Sequence, residues 1–146
     1  MSRPTPRPRA AYRRFASISS RWADNDAFGH VNNVVYYAWF DTAVNRFLID
    51  NHLLDVKEST VIGIVAENGC RYLSQIAYPE DVSVGMRVAA LGRSSVRYEL
   101  GVFRDGAEDP SAEGHFVHVY VDRASMRPVP IPDDIRTAMM TLQIAE

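Results

Sequence analysis

The chain has 146 residues, 47% of them apolar and 23% charged, with a formal net charge of −2. That is the size of one domain with enough apolar material for a core, and the charge excludes the broad basic surface of a nucleic-acid binder. A single cysteine, Cys70, excludes an internal disulfide framework and any metal cluster resting on cysteine.

The first ten residues, MSRPTPRPRA, are basic and proline-rich, and no apolar run follows them, so they do not read as a secretory signal. Residues 1–11 are expected to be a disordered tail and 12–146 one domain. No segment reaches the roughly 20 apolar residues that span a bilayer. With cysteine so scarce, a soluble cytoplasmic protein is expected. Lys57 is the one lysine. The other basic residues are arginine, which suits bidentate contacts to phosphate or carboxylate.

Residues 12–21 carry apolar points at Phe15 and Ile18 and are read as a strand. Residues 33–51 are the one strong helix. Tyr36, Phe40, Val44, Phe47 and Leu48 recur at i, i+4, i+8, i+11 and i+12, and Val35, Trp39 and Ala43 widen the stripe. Asp41 and Asn45 form a narrow polar row. A helix this apolar must be wrapped by other structure. Strands follow. Residues 61–72 form the first, with Gly63 and Gly69 as expected bulges. YPED at 78–81 is a turn, 82–91 a strand, and GRSS at 92–95 a connection. Over 96–104, Val96, Tyr98, Leu100 and Val102 share one face. Over 113–122, Phe116, His118 and Tyr120 oppose Val117, Val119 and Val121. After RPVPIP, residues 133–144 are a terminal helix with Asp133 near its start.

Long strands joined by short turns pair antiparallel. One curved antiparallel sheet around one central helix, an α+β architecture, is the simplest way to bury that helix. A single such layer leaves an edge or face open, so self-association is expected.

The stretch DNDAFGHVNN, residues 24–33, crowds polar groups against the start of the apolar helix. Asn32 or Asn33 suits the cap, since a short side-chain oxygen accepts an orphan N–H of the first turn. The pattern Asp24-x-Asp26-x-x-Gly29-His30-Val31-Asn32-Asn33-x-x-Tyr36, followed by Phe40-Asp41, resembles the signature of hotdog-fold acyl-CoA thioesterases of the 4-hydroxybenzoyl-CoA thioesterase type. The later turns Tyr78-Pro79-Glu80-Asp81 and Gly92-Arg93-Ser94-Ser95 agree, so the resemblance spans about residues 13–132.

The resemblance implies a hotdog domain that hydrolyses a coenzyme A thioester. It implies that Asp26 carries the chemistry and that the thioester carbonyl sits against backbone N–H groups at the start of the central helix. The pantetheine arm then runs between two subunits of a homodimer or homotetramer, and the acyl group enters a pocket beside the helix. Arg93, Ser94 and Ser95 match a segment that contacts the nucleotide. Coenzyme A is part of the substrate, and no separate cofactor, nucleic acid or membrane partner is expected.

The residues themselves fit that chemistry. A thioester needs a nucleophile, or a base to deliver water, and a donor for the developing oxyanion. Asp26 supplies either of the first two, and helix N-terminal amides supply the third. Gly29 permits close approach at the helix start. His30 orients water, bonds the carbonyl or ties the loop; structural histidines are the commoner kind. Asp24 is expected to hold the loop. Asn33 and Tyr36 are expected to face substrate, although Tyr36 also suits the core. Glu67 reaches a site from a partner subunit or lies on the solvent face. His115 and His118 lack metal-ligand spacing, so no metal is assigned. Two other readings use the same fold: an enoyl or 3-hydroxyacyl thioester hydratase-dehydratase, with His30 paired to Asp26, and a non-catalytic acyl-CoA-binding protein.

Overall fold

The computed structural model describes residues 5–144. Five strands form one antiparallel sheet: β1 (Arg14–Ser19), β2 (Val61–Tyr72), β3 (Asp81–Leu91), β4 (Ser95–Arg104) and β5 (Ala112–Asp122), in the spatial order β1-β3-β4-β5-β2. Helix α1 (Asn33–Asp50) lies between β1 and β2 in sequence, and α2 (Asp133–Met140) follows β5.

Helix α1 buries Tyr36, Trp39, Phe40, Ala43, Val44, Phe47 and Leu48, the stripe read from the sequence. These side chains pack on the inner face of the sheet, on Val82, Val84, Met86 and Val88 of β3 and on Val96, Tyr98, Leu100 and Val102 of β4. Phe116 and Tyr120 of β5 join the same core. The alternation predicted for β4 and β5 therefore sets the inner face. Each large apolar side chain buried here contributes about 1.5–3 kcal/mol. Asp41 and Asn45 stay outside, with Asn45 Nδ2 donating to the Asp41 carbonyl at 2.9 Å and to its Oδ1 at 3.1 Å.

The helix starts over the β2–β5 side of the sheet and ends beside β1, where Asp50 lies 3.5 Å from the Arg14 guanidinium and that guanidinium lies over the Phe47 ring. Tyr36 packs on Tyr72 at the end of β2, with ring centroids 5.0 Å apart, and Phe40 packs on Phe116 at 6.0 Å. Gly114 makes the close approach possible: a Cβ there would sit 2.6 Å from Cζ of Phe40. The start of α1 thus lies at the sheet end where β2 finishes and β3 and β5 begin.

Several boundaries differ from the sequence reading. The β2 irregularity falls between Val65 and Glu67 rather than at a glycine. Gly63 and Gly69 lie in regular pairs, where their missing side chains make room for His118 and Tyr120 on one face and for His115 on the other. Helix α2 stops at Met140, after which Gln143 bridges to Val88. Strand β1 occupies only the middle of 12–21.

Residues 1–4 of the expected tail, and residues 145–146, lie outside the described residues. From residue 5 the segment crosses the outer face of the sheet. Arg7 donates its backbone N–H to Glu113 at 2.7 Å, and the Arg9 guanidinium lies 4.9 Å from the centre of the Phe103 ring. Tyr12 lies over Gly85 and Gly101, where any Cβ would collide with its ring. Strand β2 forms a sheet edge twelve residues long, with no partner on its outer side among the described residues. No helix of the described residues is long and apolar enough to cross a membrane.

Candidate active site

The loop 24–33 is a closed device rather than a simple cap. Asp26 donates its N–H to the His30 carbonyl at 2.8 Å, and Gly29 donates to the Asp26 carbonyl at 3.1 Å. Asn25 and Val31 form an isolated antiparallel bridge across it. Gly29 has φ +85°, in the region that disfavours a side chain, yet a Cβ there would meet nothing within 4 Å. Backbone conformation demands the glycine, and the space beside it is open.

Three ties fix the loop to the fold. Asp24, only 1% exposed, accepts the Arg21 backbone N–H at 2.7 Å and the guanidinium at 2.7 and 3.0 Å. It holds the loop as expected, and its carbonyl also accepts from Asn32 at 2.9 Å. Val31 donates to the Ile76 carbonyl at 2.8 Å, and Asn25 Oδ1 accepts from Tyr78 at 3.0 Å. The cap of α1 is Asn32, whose Oδ1 accepts from Val34 at 3.1 Å. Asn33 is the first helical residue; its N–H has no acceptor among the described residues, and its carbonyl accepts the Tyr72 hydroxyl at 2.9 Å.

The Asp26 carboxylate is half-buried and asymmetrically held. Its Oδ1 accepts the Phe28 N–H at 2.8 Å, whereas Oδ2 takes part in no hydrogen bond or ion pair among the described residues. His30 is exposed, and its ring makes no hydrogen bond among the described residues. Tyr36 is buried beneath the loop, and burial pushes its hydroxyl up to about 12, so it stays protonated at neutral pH.

The other expected site residues do not join this loop within one chain. Glu67 lies on the outer face of β2, 2.9 Å from His115 Nε2 and 3.6 Å from the Arg97 guanidinium. Arg93 and Ser94 lie in the β3–β4 turn and Ser95 opens β4, at the opposite end of the sheet. Their carbonyls accept from Ile131, Tyr120 and Gly92 respectively, and the Arg93 side chain is exposed. Hollows of about 290 Å³ between β1 and α1 and about 370 Å³ on the outer face are lined by none of Asp26, Gly29 and His30.

Sequence reading passed over the aromatic rim of the loop. Phe28 is 86% exposed and Trp22 79%, and Trp22 meets Tyr78 edge-on at 5.9 Å. A phenylalanine between Asp26 and Gly29 in an otherwise polar loop was the available signal. Large exposed apolar side chains grouped around a carboxylate mark a binding surface more than a solvated one.

The curved sheet wrapped on one helix defines the hotdog fold, shared with solved thioesterases. The chain belongs to the thioesterase-like superfamily, whose family model matches residues 20–139, and it is a thioester hydrolase. It is 50% identical to the PA5185 protein of Pseudomonas aeruginosa strain PAO1, over 95% of this chain and 97% of that one, with a TM-score of 0.93. It is 31% identical to a Thermus thermophilus thioesterase solved with coenzyme A and zinc, over 91% and 96% of the two chains, with a TM-score of 0.76. It is also 27% identical, over 86% of this chain and 84% of the relative, to the uncharacterized protein YsmA of Bacillus subtilis strain 168.

Proposed function

We propose that the chain hydrolyses acyl-CoA thioesters, with Asp26 as the reacting carboxylate and the first amides of α1 as oxyanion donors. One observation carries the reading: Asp26 is pinned through Oδ1 while Oδ2 is free, in a loop that leads straight to the open Asn33 N–H. The pinned oxygen fixes the direction of the free one. The Asn33 N–H stands at the positive end of an 18-residue helix, which supports its use as a donor to charge developing on a thioester oxygen. The thioesterase solved with coenzyme A supports the choice of thioester.

Two routes use this geometry. Asp26 Oδ2 attacks the carbonyl carbon, the C–S bond breaks, the thiolate takes a proton, and water opens the anhydride. Alternatively, Asp26 takes a proton from water, which attacks directly. Both end in a free acid and coenzyme A. In this reading His30, exposed in the same loop, orients that water. Asn33, exposed at the start of α1, forms the helix side of the site, and Tyr36 backs it from the core.

The working unit in this proposal is a homodimer paired along β2, which can pair again into a tetramer. Antiparallel two-fold pairing sets the Asp26 end of one copy against the Arg93–Ser95 end of the other. That accounts for the wide separation of those segments in one chain and gives Arg93 a phosphate to bind. Glu67 lies on the same edge strand.

Thiol release from a panel of acyl-CoAs tests this. Wild type is expected to turn over at least one of them, and Asp26→Asn to lose about 10²–10⁴ in rate. An inert panel removes the assignment, and a fully active Asp26→Asn removes the mechanism.

A further inference from the structure

The segment 76–80 holds the reactive loop at its entry, within it and at its exit. Ser20, next to the Arg21–Asp24 turn, donates its hydroxyl to the Glu80 carbonyl at 2.5 Å and its N–H to the same oxygen at 3.4 Å. Inside the loop, Asn25 Oδ1 accepts the Tyr78 N–H at 3.0 Å. At the exit, Val31 donates to the carbonyl of the fully buried Ile76 at 2.8 Å. Asp26 lies between these ties, and Asn33 follows the last of them by two residues. Their relative position is therefore inherited from this segment as well as from the helix.

A single side chain fixes the segment. Glu80 donates its N–H to the Ala77 carbonyl at 2.9 Å and folds back so that its Oε2 accepts the Ala77 N–H, also at 2.9 Å. The turn is closed twice between the same two residues. Oε1 takes the Arg104 guanidinium at the end of β4, through Nε at 2.8 Å and through Nη2. Partial burial raises the Glu80 pKa, but the Ala77 N–H and the Arg104 guanidinium outweigh it and hold the carboxyl below its ordinary value, so both oxygens accept at neutral pH. Arg104 is half-exposed, and surface ion pairs of this kind contribute little to stability. What the pair supplies is direction: each carboxylate oxygen has its own donor, and Arg104 opposes the rotation that would release Ala77.

We propose that Glu80 is a positioning residue for the thioesterase site, setting Asp26 against the Asn33 N–H through the turn 77–80, with Arg104 keeping Glu80 turned towards Ala77. This rests on the acyl-CoA reading above. The reacting carboxylate is Asp26, and Glu80 acts only through the backbone on which the loop hangs. Misplacing reacting groups by about 1 Å costs on the order of 10²-fold in rate. Loss of Glu80 therefore belongs in kcat rather than in substrate binding.

The test measures kcat and KM on the acyl-CoA that wild type turns over fastest, with urea midpoints to confirm that each variant is folded in the assay. Glu80→Ala is expected to lose about 10–100-fold in kcat with KM within about threefold of wild type. Glu80→Gln should fall between the two, because an amide offers one acceptor oxygen where the carboxylate offers two. It carries the test if Glu80→Ala does not fold. Ile135→Val, a core change in α2, controls for lost stability and should keep wild-type kcat. Arg104→Gln should lower kcat less than Glu80→Ala does, and the double variant should be no slower than Glu80→Ala alone. Wild-type kcat in folded Glu80→Gln or Glu80→Ala overturns the proposal and leaves the thioesterase reading intact. So does an equal loss in Ile135→Val, since activity then only follows stability, and so does a double variant slower than Glu80→Ala, since Arg104 then acts by another route. A wild type that cleaves no acyl-CoA overturns the underlying reading, and this inference with it.

Discussion

Asp24 and Asp26 stand two residues apart and do opposite work. Asp24 is buried with its carboxylate directed at Arg21 and its backbone; Asp26 keeps one oxygen free. Asp24→Ala strips the partner from the Arg21 N–H and should lower the unfolding free energy by about 1–3 kcal/mol, read from urea midpoints at constant slope. An unchanged midpoint would show that the loop is held elsewhere. That division was partly legible in the sequence, because the spacing marked both carboxylates. Which one is buried depends on Arg21 folding back in a 3-10 turn, a contact that no periodicity announces. His118 is the opposite case: its strand face was readable, its isolation was not. Burial lowers its pKa; Asp41 on α1 acts against that, and the facing rings are those of Tyr98 and Phe116. The fold therefore favours neutral imidazole. That stability is fully present above the ordinary histidine value of about 6.5 and is lost as pH falls below it towards the lowered folded value. Denaturant titrations at stepped pH should show wild type weakening over that interval and His118→Phe weakening less.

Between elements, α1 rests on β3 and β1 and meets β5 closely at Gly114. The helix was legible from the spacing of its aromatic residues, and the inner faces of β4 and β5 from their alternation. The seat of the helix was not, because it depends on Gly114 lying beneath Phe40 across 74 residues of sequence. Gly114→Ala should cost about 1–3 kcal/mol by overpacking. Phe40→Leu in that background should recover part of the loss, and a double-mutant cycle measures the coupling. Additive effects would mean that the helix does not rest there. The expected bulges at Gly63 and Gly69 failed for a related reason. Glycine in a strand serves either a kink or a close approach, and only the structure shows that both serve approach to aromatic and imidazole rings.

For the whole molecule, the open edge of β2 governs behaviour. Val65 projects from it, exposed and apolar, beside the irregularity at 65–67. Charge is the usual protection of such an edge, so Val65→Lys should shift the species seen by analytical ultracentrifugation towards monomer and reduce thioesterase activity in parallel. A monomeric wild type would remove the dimer from the proposal. The open edge could be anticipated from the element order, but the strand order that places β2 there could not be read from local pattern, since β2 pairs only with the last strand made. That order has a consequence during synthesis. Helix α1, with seven apolar and aromatic side chains buried along its inner face, is complete at Asp50, while β5 closes the sheet beneath it only at Asp122. At about 5–20 residues per second, roughly 70 further residues keep the nascent helix without its seat for several seconds. A chain cut short before β5 keeps both the bare helix and an unpaired β2, which makes the last strand the point at which the growing polypeptide becomes safe from its neighbours.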